Sequence, residues 1–61
     1  MKEEIRILRK SIEKKEYLYY KARRSYKKSG DLFFIDLAAR LEKQIVKLET
    51  ELNELLEGVQ V

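Results

Sequence analysis

The chain has 61 residues, 44% hydrophobic and 41% charged, a balance that excludes a disordered polar tail and fits long amphipathic helices in one small domain. Cysteine and histidine are absent, which excludes disulfide staples, thiolate nucleophiles, cysteine-ligated metal and the commonest general base and metal ligand. The net charge of +3 is unevenly spread: residues 1–29 hold eleven Lys or Arg against four Glu, and residues 30–61 hold three against seven acids.

In the first half, Met1, Ile5, Leu8, Ile12, Lys15, Tyr19, Ala22 and Tyr26 follow one another at alternating gaps of 4 and 3. That is the heptad seam of helices packed side by side. No proline interrupts it, and the spacing predicts a helix over about 2–29. Lys15 is the one charged seam residue. A lysine there packs its methylenes on the seam and carries its ammonium to the edge, or it fixes register and oligomeric state.

The outer face of this helix is basic. A helical wheel sets Lys10, Lys14, Lys21, Arg24, Lys27 and Lys28, with Lys2, Arg6 and Arg9, opposite the seam, and Tyr17 and Tyr20 among them. Cations and rings so interleaved suit nucleic acid, phosphates on the cations and unpaired bases on the rings. They equally suit an acidic protein partner. A solvated face is the plainer alternative, because Arg23, Arg24, Lys27 and Lys28 meet the C-terminal helix dipole and Arg9 and Glu49 flank the seam at facing positions.

The phase breaks at Ser29-Gly30-Asp31, where glycine suits a left-handed helix stop and aspartate an N-cap. The turn is expected at 29–31 and the second helix over about 31–57. Phe34, Ala38, Leu41, Ile45, Leu48, Leu52, Leu55 and Val59 repeat the alternation of 4 and 3, and every pair with the first seam is symmetric about residue 30. A tight antiparallel turn therefore brings eight layers into register, with Ala22 and Ala38 sharing one. The fold class is all-α: an antiparallel two-helix hairpin in one domain over 1–61, expected to dimerise into a four-helix bundle because a lone hairpin has a single seam to bury.

Leu32, Ile35, Ala39 and Val46 form a second apolar stripe on the second helix, and Leu18, Phe33 and Leu37 widen the zone near the turn. Exposed apolar patches mark association sites. The expected occupant is a second copy, or a larger protein whose groove the stripe fills, or else the stripe is a simple surplus of surface apolar residues. The surface glutamates Glu42, Glu49, Glu51, Glu54 and Glu57, lone glycines and serines without a histidine base compose no catalytic, cofactor or metal site. Neither end carries a long apolar run. The expectation is a non-enzymatic, cytoplasmic interaction protein, an inhibitor or adaptor, with no membrane partner, cofactor or small-molecule substrate.

In size and shape the chain resembles the small helical hairpins that dimerise into four-helix bundles, such as the Rop family of plasmid copy-number RNA-binding proteins. That architectural resemblance implies a homodimer with a polar face that engages RNA. The chain is also similar in outline to the small sporulation aspartyl-phosphate phosphatases, hairpins with a Ser-Gln-Glu-Leu-Asp signature on the second helix. Its nearest stretch, Ala38-Ala39-Arg40-Leu41-Glu42, keeps the leucine followed by an acid and lacks the serine, the glutamine and the first acid, the residues expected to carry that activity.

Overall fold

A computed structural model describes residues 2–59, with side chains described for residues 2–58. Helix α1 spans Lys2–Ser29 and α2 spans Leu32–Val59, and the two pack against each other as a hairpin within a rod of 48 × 15 × 11 Å. The two-helix hairpin expected from the heptad spacing is therefore the observed fold.

The turn is built by local chemistry. Gly30 adopts φ +70°, and its N–H donates to the Tyr26 carbonyl at 2.7 Å, the left-handed helix cap that satisfies an otherwise orphan carbonyl. Asp31 then caps α2, its Oδ1 accepting the Phe33 N–H at 3.0 Å. Ser29 ties the two ends together, its hydroxyl donating to the Ser25 carbonyl and accepting the Asp31 N–H. A Cβ added at Gly30 meets nothing within 4 Å, so substitution there is opposed by backbone conformation alone. Gly30→Val is expected to cost about 1–2 kcal/mol, seen as a lower denaturation midpoint at unchanged m-value, and Gly30→Asn clearly less. Equal midpoints for the two variants would show that the left-handed cap contributes nothing.

The seam decides what is buried. Every described seam residue is buried or half-buried, and the four most buried, Ile12, Ala22, Ala38 and Leu41, all belong to it. The layer formed by Met1 and Val59 lies outside the described side chains. Burial is deepest where the two alanines share a layer, since small side chains let the backbones approach. Elsewhere, Leu41 and Ile12 excepted, the larger residues leave the seam partly wet. A single seam of this kind gains little over the entropy of ordering the chain, so the hairpin is a marginal structure by itself.

One side-chain hydrogen bond between the helices supports the register. Lys15 Nζ donates to Gln44 Oε1 at 2.7 Å, linking the helices one layer below Tyr19 and Leu41. Its stem is half-buried while the ammonium leaves the seam on Gln44's side, the edge-seeking behaviour expected of a long cationic side chain. The ion pair found among the described residues, Arg6 with Glu3 at 3.1 Å, lies within α1 and is largely exposed, so it contributes little. Arg9 and Glu49 line one cleft beside Ile12 and Leu52 without forming a described ion pair. Among the described residues no ion pair joins the two helices.

Candidate functional site

The chemistry available lies on surfaces. Among the described residues no cluster of carboxylates is placed to hold a metal ion, and no helix is long and apolar enough to cross a membrane.

The apolar zone near the turn divides in two. Successive residues turn by roughly 100° on a helix, so Ile35 and Leu37 fall on opposite sides of the seam. Leu32, Ile35, Ala39 and Val46 share one flank of α2, where the three large residues are exposed at 69%, 41% and 56%. Ala39 between them is also exposed. Leu18 and Leu37 belong to the other flank, where they line an apolar recess of about 290 Å³ floored by Ala22, Phe34 and Leu41. Phe33 is exposed at that side of the turn and sets its ring edge-on to Phe34, centroids 5.4 Å apart. The stripe and its expected flanking residues are therefore two faces, not one.

A further exposed residue belongs to this account. Ile7 stands in water beside Leu8 and Leu55, rimmed by Glu4, Glu51 and Glu54 at the open end. It lies eleven residues from Leu18, roughly 20° away around α1, and so continues the recess flank. The signal in the sequence is that single apolar residue between seam positions.

The basic face is coherent. Lys10, Lys14, Tyr17, Tyr20, Lys21, Arg24, Lys27 and Lys28 are all exposed on the outer side of α1. Tyr17, Tyr20, Lys21, Arg24 and Lys27 come together around a shallow open depression, joined by Arg23. Lys21 Nζ sits 5.7 Å from the Tyr17 ring centroid, a cation–π contact that holds the ring against the helix. Arg23 turns the other way, donating to the Tyr19 hydroxyl at 3.0 Å and covering that ring at the seam edge. Of the cations near the turn, Arg23 thus bonds within α1 through one nitrogen, while Lys21, Arg24, Lys27 and Lys28 are exposed without such a bond among the described residues.

Two faces could therefore recognise something: an apolar one on α2 and a cationic, aromatic one on α1. Comparison with protein-family models, curated proteins and solved structures finds no match for this chain.

Proposed function

We propose that this chain is a small non-enzymatic regulatory module, of inhibitor or adaptor type, which works in the cytoplasm as a homodimer by covering a surface on a larger protein. The observation that carries the proposal is the flank of Leu32, Ile35 and Val46, three large apolar side chains left in water by a hairpin with no seam residue to spare for them. Burying each such side chain fully is worth about 1.5–3 kcal/mol. Ile35→Asp and Val46→Asp are expected to abolish association, measured as solution mass by light scattering and as retention of protein partners. Helicity by circular dichroism stays close to wild type, since neither residue belongs to the seam. Wild-type mass and wild-type retention in both variants would remove the proposal.

A second proposal, from a different class, is that the outer face of α1 binds single-stranded nucleic acid. It is supported by Tyr17 and Tyr20, exposed at 62% and 67% among four outward cations. Binding of a labelled oligonucleotide should then weaken steeply with salt, because each neutralised phosphate releases counterions, and Lys21→Glu with Arg24→Glu should remove it. Salt-insensitive binding, or none at low salt, speaks against it.

A further inference from the structure

We propose that the occupant of the Leu32–Val46 flank is a second copy of this chain, docked antiparallel about a two-fold axis at Ala39. This rests on the homodimer proposed above and adds its face, its register and its polarity.

Leu32, Ala39 and Val46 are spaced seven apart, so they occupy the same side of α2 in the order large, small, large. Reversed about Ala39, the pattern meets itself. Two antiparallel copies of α2 set Leu32 on the partner's Val46, and the reverse, while the two Ala39 residues let the backbones approach at the axis. The overlap covers about 21 Å at ~1.5 Å per residue, the length of the exposed stripe, and leaves the open ends of the rod free. A contact of this kind is isologous and closes at two copies.

Charge selects the antiparallel arrangement. On this flank Arg23 faces Ile35 across the seam near the turn, and Glu16 faces Glu42 further along, each pair summing to the same register as Arg9 with Glu49. Both glutamates are exposed, and neither has an ion-pair partner among the described residues. Reflection about Ala39 carries the partner's Glu42, and the partner's Glu16 level with it, to the height of Arg23. A parallel pairing about an axis along the rod would instead return Glu16 to the partner's Glu42. Complementary charge in one arrangement and repulsion in the other is what fixes polarity at such an interface.

The opposite flank does not offer the same fit. Lys21 lines its recess, and Lys28 and Arg40 share that side of their helices by heptad position, so a second copy overlapping there near the turn would set cation against cation.

The test combines solution mass, a cross-link and a charge exchange in the full chain. Wild type should scatter at twice the 7.4 kDa chain mass, and the Ala39→Cys variant should oxidise rapidly to a covalent dimer while Leu18→Cys does not. Arg23→Glu and Glu42→Arg should each weaken the dimer by about tenfold or more, and the double variant should recover most of the loss. The double variant also controls for the Arg23–Tyr19 hydrogen bond, which both Arg23→Glu proteins lack. A monomeric wild type overturns this proposal and the homodimer together, while retention of another protein sensitive to Ile35→Asp would still uphold the interaction module. A wild-type dimer that cross-links at Leu18→Cys and not at Ala39→Cys, or charge effects that simply add, overturns the face and register alone.

Discussion

Replacing Leu41 with aspartate unfolds the hairpin. Leu41 is 7% exposed and shares its layer with Tyr19, next to the layer of Ala22 and Ala38 where burial is deepest. Truncating a buried leucine costs about 2–5 kcal/mol through lost transfer energy and the cavity left behind. Aspartate adds a carboxylate that must be desolvated, and no cation stands within the seam to pair with it except Lys15, one layer toward the open end. A domain of this size has on the order of 3–5 kcal/mol to lose, and no second core exists to hold the helices once the central layers part. The expected result is loss of most far-ultraviolet helical signal at room temperature. Lys43→Asp, on the exposed outer side of the same helix, should shift the midpoint by no more than about 0.5 kcal/mol. A Leu41→Asp protein that still melts cooperatively within a few degrees of wild type would show that the central layers do not carry the fold.

The hairpin was legible because its determinants are local and periodic. Two runs of alternating 4 and 3 specify two helices and the face each turns inward, and the symmetry of the runs about Gly30 specifies their register. Gly30 and Asp31 write the turn in residue types with a direct conformational cause, which is why both capping roles appear in the structure. The division of the apolar zone was harder to see. Leu18, Phe33 and Leu37 lie close in sequence or space to the stripe, yet an offset of two residues sends Leu37 to the flank opposite Ile35. Ile7 is not legible as part of a face, because one apolar residue makes no pattern. The inward turn of Arg23 onto Tyr19 is a rotamer choice, and spacing does not encode rotamers.

The surfaces are less legible than the seam for a physical reason. Seam residues constrain each other through shared space, so a pattern in one helix must be answered in the other. Exposed residues answer only to whatever binds them, and one chain does not contain that information unless the partner is itself. Self-association is the exception, because both halves of the interface are then written in a single sequence. In the dimer proposed above, the reversal of Leu32, Ala39 and Val46 about one residue, which brings the partner's Glu42 to the height of Arg23, is a pattern of that kind.

Lys15→Ile is expected to raise the melting temperature by several degrees and to loosen control over assembly. Lys15 stands in the seam between Ile12 and Tyr19, in the layer of Ile45, and its stem is half-buried. Its ammonium reaches Gln44 at 2.7 Å, but donor and acceptor are both near water, so the net value of that bond is at the low end of about 0.5–1.5 kcal/mol. That bond is charge-assisted but screened by water, and isoleucine exchanges it for apolar contact in a layer whose other member is already isoleucine, at about 25 cal/mol per Å² newly buried. The balance favours the variant by roughly 1 kcal/mol, which corresponds to about 4–8 °C in a chain this short. The cost falls on specificity. A lone charge in an otherwise apolar seam penalises every alternative packing that would bury it fully, and its removal leaves a continuous stripe that a further helix can cover. Thermal melts followed by circular dichroism should therefore rise, while light scattering shows species larger than those of wild type at the same concentration. A lower melting temperature would mean that the Lys15–Gln44 bond outweighs the packing it displaces. A higher one with unchanged mass would mean that the seam's register is set by the turn and the alanine layer without help from its single charge.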